Sequence, residues 1–377
     1  MKILFDLIAT QPSGSGKRHG GGIYGEMVLR KLAELKADVV IFYDSSKWLN
    51  PEIEAIIKES GYPLEDINAT SLSEIIEKHK VATFYSALPL SEHAQLPVER
   101  KIGTMHGLRF LERPHDEMQR RFRNEPMKSI MVNYLETISP KTVFNKRKKD
   151  YAGILDMQLI VVSNHTAYSL RNFFPETAKR NVPVFYSPST TVEMELNPDK
   201  AADYPYFLMV SGNRWDKNTL RAIMAFERLF DAGLLEGIKV HITGLKSLKD
   251  IRYKYRHPER FVAMGYVDDD ELQRQYRDAY GFIYPSLNEG FGYPPVEAMR
   301  FGVPTAASGV CSIPEVCGDA VLYFNPMDIA EISNRILQLT DPDIRKQLHK
   351  AGLERYQIVT ERQNSDLEKL AHYIMTN

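Results

Sequence analysis

The stretch Phe282-Ile-Tyr-Pro-Ser-Leu-Asn-Glu-Gly-Phe-Gly-Tyr-Pro-Pro-Val-Glu-Ala-Met-Arg-Phe-Gly-Val-Pro-Thr305 decides how the chain reads. The run Gly281 to Tyr284 is apolar, short and closed by Pro285, the pattern of a parallel strand covered on both faces. The Pro294-Pro295 pair suits a first helical turn and Gly302 suits the position past a helix end, so a short helix is expected between them and a further strand from Thr305. Glu289, Gly290, Phe291 and Gly292 fall between strand end and helix start, where open α/β sheets place their ligands. The glycines let backbone amides approach a ligand closely and the helix start adds positive partial charge, which suits an anion such as a diphosphate. Pro294 and Pro295 lack an N–H, leaving Gly292, Tyr293, Val296 and their neighbours as donors. Glu297 follows Glu289 with seven residues between. One carboxylate therefore lies on the loop and the other in the first helical turn, where both can face one ligand.

Working outward, 377 residues suffice for two α/β domains, each with its own core. With 48 basic and 49 acidic side chains the formal charge is −1, so nothing global argues for nucleic acid. Two cysteines, Cys311 and Cys317, cannot build a disulfide framework, lack metal-ligand partners at suitable spacing and read as small buried hydrophobes. Met1 to Ala9 is apolar but broken by Asp6, and reads as a first strand and not a leader. No run approaches about 18 apolar residues. A cytoplasmic location is expected.

Strands are expected at Lys2–Ile8, Val39–Tyr43, Val81–Tyr85, Lys101 onward and Leu159–Ser163, alternating with helices, which implies a parallel sheet. The loop before the first helix ends in Gly20-Gly21-Gly22, able to bring amides against a phosphate or sugar. His106 stands just after a strand. The segment 112–150 reads as long, polar and helical, with Arg120, Arg121, Arg123, Lys141, Lys146, Arg147, Lys148 and Lys149. It reads either as a solvated face or as contact with an anionic lipid-linked acceptor at a membrane surface. The segment Val182 to Asp203 reads as the interdomain linker, with the boundary near Ser187 to Tyr204. Beyond it, Tyr206–Ser211 is a strand, followed by Arg214 and Lys217 at its carboxyl end, where cations neutralise a diphosphate. Tyr266 follows a later strand. Helices are expected at Asp328–Leu339, Asp343–Gln357 and Glu361–Met375.

The pattern Pro-Ser-x-x-Glu-Gly-Phe-Gly-x-Pro-x-x-Glu-Ala-Met-x-x-Gly-x-Pro, residues 285–304, resembles the donor-site signature of the retaining glycosyltransferases of family four, also called glycosyltransferase group 1. The resemblance implies the two-domain GT-B fold: two Rossmann-like α/β halves facing a cleft. The first half would span 1–190, with 361–377 crossing back, and the nucleotide-sugar-binding half 204–360. It further implies that Glu297 holds ribose hydroxyls, that Glu289 and the Gly290-Phe291-Gly292 amides hold the sugar and phosphates, and that Lys217 and Arg214 meet the diphosphate. Gly21, Gly22 and Tyr266 would border the donor, and His106 would point at the transferred sugar. The family's usual acidic neighbour of that His is absent, since Gly107 stands there. The implied reaction is metal-independent transfer of a hexose, with retention, from a UDP- or GDP-linked sugar to a sugar or lipid-linked acceptor in cell-surface polysaccharide or glycolipid assembly. No cofactor beyond that co-substrate is implied. Alternatives on the same scaffold are a sugar phosphorylase, a nucleotide-sugar epimerase or a non-catalytic sugar-nucleotide sensor.

Overall fold

The computed structural model describes residues 1–12, 19–113, 115–123, 127–188 and 203–376, without the side chains of 128–130 and 132–133. The chain divides into two compact units. One comprises Met1–Leu108, Lys146–Thr191 and Thr360–Asn377; the other comprises Arg109–Asn145 and Val192–Val359. Most of the expected linker, 189–202, lies outside the described residues.

The first unit holds strands β1 (Ile3–Asp6), β2 (Val39–Tyr43), β3 (Leu64–Asp66), β4 (Thr83–Ser86), β5 (Arg100–Met105) and β6 (Gln158–Val161). They form one six-stranded sheet in the order β3-β2-β1-β4-β5-β6. Every pairing is parallel. The second unit holds β7 (Tyr206–Met209), β8 (Lys239–Thr243), β9 (Phe261–Gly265), β10 (Gly281–Tyr284), β11 (Thr305–Ser308) and β12 (Leu322–Phe324). Their order is β12-β11-β10-β7-β8-β9, again all parallel. Counted from its own first strand, each sheet runs 3-2-1-4-5-6, the doubly wound order whose reversal point lies between first and fourth strands.

The central strands are largely apolar and buried, as expected of parallel sheets covered on both faces. Leu4, Phe5, Val40, Ile41, Phe207 and Ile283 are fully buried, each contributing about 1.5–3 kcal/mol in apolar burial. Close approach also explains Gly281. A Cβ there would lie 2.5 Å from the Phe207 ring on the neighbouring strand.

Two readings of the sequence change. The carboxyl-terminal helices are one continuous helix, Pro342–Met375, because no proline or glycine interrupts it after Gly352. Its residues to Val359 belong with the second unit and those from Thr360 with the first. The segment 109–145 also groups with the second unit. Phe122 joins that unit's apolar core and bridges Ile251, and Arg221 makes a buried bidentate pair with Asp116 at 2.7 and 2.9 Å.

Candidate functional site

In the second unit the reversal point lies between β7 and β10, and their carboxyl ends carry two loops that lock together. The Leu287 amide donates to the Asp216 carbonyl at 2.9 Å. On the first loop, Arg214 precedes a single 3₁₀ turn, Trp215–Lys217, that Asn218 closes in the left-handed region at φ 57°. This turn buries Lys217 to 6% exposure beneath the sheet's end.

Lys217 Nζ meets Glu289 Oε1 in a buried ion pair. It also donates to the Tyr284 hydroxyl at 3.0 Å. Tyr284 and Ser286 each donate to the same Glu289 oxygen, both at 2.6 Å. Burial alone would raise the Glu289 pKa. The Lys217 and Arg109 charges, with hydrogen bonds from Lys217 and Ser286, outweigh it and hold the carboxyl near 2. Burial moves Lys217 the other way, below its ordinary value, against the pull of Glu289. Glu289 is therefore a fixed anion at neutral pH and not an acid. Asp216 ties in two more cations, Arg214 at 2.8 Å and Arg109 at 3.2 Å.

The Glu289–Gly292 turn is held from behind. The Ser312 hydroxyl lies 2.9 Å from the carbonyl oxygens of both Glu289 and Phe291 and donates to them. Phe291 is 4% exposed and packs on the Tyr293 ring at 5.3 Å. Gly292 then caps the helix Tyr293–Arg300 at φ 100°, a conformation L side chains rarely adopt. Gly302 ends it at φ 63°.

Glu297 occupies the first turn and a half of that helix. Its Oε2 is buried with no hydrogen-bond partner among the described residues. Burial raises its pKa, offset in part by Arg300 and a hydrogen bond with Gln273. A buried carboxylate oxygen without a donor costs on the order of 1–3 kcal/mol, more when charged, until a ligand hydroxyl supplies one.

Tyr266 is not part of this cluster. It is 82% exposed at the end of β9, the edge strand, with β7 and β8 between it and β10.

In the first unit, Gly20–Gly22 open the helix Gly20–Glu34, but the Gly22 amide is already used. His19 caps it through Nδ1 at 3.1 Å, while His19 Nε2 donates to the Gln11 carbonyl at 3.2 Å. A Cβ on Gly22 would reach the Thr10 carbonyl at 2.8 Å, so packing already demands that glycine, whereas one on Gly21 would meet only the end of the Leu88 side chain at 2.9 Å. His106 is half-buried, edge-on to Tyr24 at 4.7 Å, and its Nε2 donates to the Ala87 carbonyl at 2.9 Å. Burial, and to a lesser degree His19, lower its pKa to about 4 against that hydrogen bond, leaving a neutral ring with Nδ1 as acceptor. Gly107 has φ 139°, which accounts for glycine where the family carries an acid.

Sequence reasoning missed Tyr284, Ser286, Ser312, Asp216 and Arg109. Ser286 sat inside the quoted pattern without a role, and Tyr284 read as core. Cys317 is buried as expected. Cys311 is only partly so, stands at φ 54°, and has its sulfur 3.0 Å from Asn288 Nδ2, which also donates to Glu112 at 2.7 Å.

Residues 194–355 match the family described as glycosyl transferases group 1. Over that segment, less than half of its length, the chain matches that family. Among curated relatives, the O-antigen chain mannosyltransferase B of Escherichia coli is 47% identical over 88 residues, 23% of each protein. The O-antigen chain mannosyltransferase RfbU of Salmonella typhimurium is 44% identical over 124 residues, 33% of this chain and 35% of that one. The matched stretches thus span about a third or less of those relatives. Anabaena Alr3699/HepE, solved with UDP-glucose, aligns over 99% of this chain and 98% of its own with a TM-score of 0.62 at 14% identity. That likeness concerns the fold, which is GT-B-like.

Proposed function

We propose that this group 1 glycosyltransferase moves a hexose, with retention, from a nucleoside diphosphate sugar to an acceptor hydroxyl. The observation that carries the reading is the arrangement around Glu289. An anion fixed by Lys217, Tyr284 and Ser286 lies one loop before a helix that presents Glu297 with a buried, unpartnered oxygen. In this reading Glu297 Oε2 accepts from ribose hydroxyls, and Glu289 orients hydroxyls of the transferred sugar. As the bond to the sugar breaks, charge grows on the departing diphosphate. Lys217, Arg214 and the amides at the start of Tyr293–Arg300 are placed at that strand end to stabilise it. His106, neutral at physiological pH, accepts a sugar hydroxyl through Nδ1.

Mannose is the proposed sugar and polysaccharide or glycolipid assembly the proposed setting, because the relatives sharing 44–47% identity are named O-antigen mannosyltransferases. The test is nucleotide release from GDP-mannose, UDP-glucose and other nucleotide sugars, compared between the wild type and Glu289→Gln. Removing a preorganised electrostatic contact is expected to cut turnover about 10²–10³-fold with donor affinity little changed. Full turnover in Glu289→Gln would remove the role assigned to it.

A further inference from the structure

The helix Met127–Ile138 turns large apolar side chains to solvent. Met127, Met131, Tyr134, Leu135 and Ile138 are exposed, at 77, 59, 55, 41 and 61%. At about 3.6 residues per turn all five fall within an arc of roughly 100°. On the opposite face Glu136 is partly buried. Glu136 Oε2 lies 3.5 Å from His115 Nδ1 and Thr137 Oγ1 3.3 Å from His115 Nε2. The segment that the sequence suggested to be polar thus turns five large apolar side chains outward. Scattered exposed hydrophobes are ordinary, but a contiguous stripe marks a binding surface.

Charge says what binds. Between Arg120 and Lys149 the sequence holds nine Lys or Arg and two Glu, in a chain whose net charge is −1. Arg120, Arg121 and Arg123 precede the stripe, and Lys141 follows it at the start of the next helix, Pro140–Ala152; all four are exposed. No helix among the described residues is long and apolar enough to cross a membrane. Apolar side chains on one helical face, with lysine and arginine at its flanks, have the chemistry of a helix lying in a lipid headgroup layer.

We propose that Met127–Ile138 docks this protein on an anionic lipid surface. The apolar stripe enters the acyl boundary, and the flanking basic residues meet lipid phosphates. A second copy of the chain would satisfy the stripe but would bring like charges together.

The experiment is co-sedimentation of the full chain with phosphatidylcholine vesicles, with and without phosphatidylglycerol. Binding is expected to be at least tenfold tighter with phosphatidylglycerol and to weaken as salt rises. Met131→Asp/Ile138→Asp is expected to lose it tenfold or more while keeping its far-ultraviolet spectrum. Arg120→Glu/Lys141→Glu, which leaves the stripe intact, is expected to lose the phosphatidylglycerol preference. Equal binding to both vesicle types, or wild-type binding by both variants, would overturn the proposal. So would a wild-type dimer that Met131→Asp/Ile138→Asp converts to monomer.

Discussion

The two sheets share one strand order yet place opposite chemistry at their reversal points. In the first unit Asp6 ends β1 and Ser86 ends β4, directly paired in register, and Ser86 donates to Asp6 at 2.6 Å while the Ala9 amide donates at 3.1 Å. Burial raises Asp6 to about 6, the hydrogen bonds from Ser86 and Ala9 lowering it only in part. In the second unit the same place holds Lys217 against Glu289, and the carboxylate is held near 2. Lys217 and Arg109 beside Glu289 separate a carboxyl raised by burial to about 6 from one fixed as an anion. The strand order supplies the location, and the loop residues supply the chemistry.

The largest effect is expected from removing that cation. Lys217→Met leaves Glu289 buried without its ion-pair partner, at a cost of about 3–5 kcal/mol. Denaturant unfolding should show the loss, and turnover should vanish. Lys217→Met/Glu289→Leu should regain much of the stability but no activity. Ser86→Ala in the first unit should cost only about 1 kcal/mol, since Asp6 can keep a proton instead. Equal costs for the two would dissolve the contrast.

Acid titration sharpens it. Asp6 stands at about 6 against an ordinary 3.8, so its contribution is present below pH 3.8 and lost as pH rises through 6. Burial lowers His106 and His93 to about 4 from 6.5, so theirs is present above pH 6.5 and lost as pH falls toward 4. Each shift corresponds to on the order of 3 kcal/mol. Two histidines oppose one aspartate, so first-unit stability should rise from pH 4 to 6.5. Asp6→Asn should steepen that rise and His106→Gln should flatten it, as read from urea midpoints across the window.

Glu297→Gln probes binding without the ion pair. The folded chain pays for the charged form, so thermal stability should hold or increase slightly. Nucleoside diphosphate affinity by calorimetry should fall by about 1.5–3 kcal/mol, ten- to more than a hundredfold. Unchanged affinity would remove Glu297 from the site.

These contrasts explain what could be read from residues alone. The strand at Gly281–Tyr284, the turn through Gly292 and the helix ended by Gly302 depend on local backbone preferences, and all three lie where the pattern put them. Lys217 and Glu289 were identifiable through the pattern, but their partnership was not, because 72 residues separate them and only the β7–β10 pairing brings their loops together. Tyr284 and Ser286 were hidden for the opposite reason: apolar context and small size gave neither a reason to stand out. The outward stripe of Met127–Ile138 needed the structure, because the helix's five large apolar side chains face solvent, where periodicity alone would have turned them to a core.

The smallest effect separates packing from ligand approach in the glycine run. A Cβ on Gly20 would meet nothing within 4 Å, whereas one on Gly22 would press the Thr10 carbonyl at 2.8 Å and His19 at 3.1 Å. Gly20→Ala restricts the unfolded chain without a clash and should stabilise by about 0.4–1 kcal/mol. Gly22→Ala should destabilise, because the atom it meets is backbone and cannot rotate away. If thermal midpoints move in these opposite directions while Gly20→Ala keeps full turnover, the run is glycine for packing at its inner end only. If Gly20→Ala is stabilised yet slow, a ligand approaches the backbone there as well.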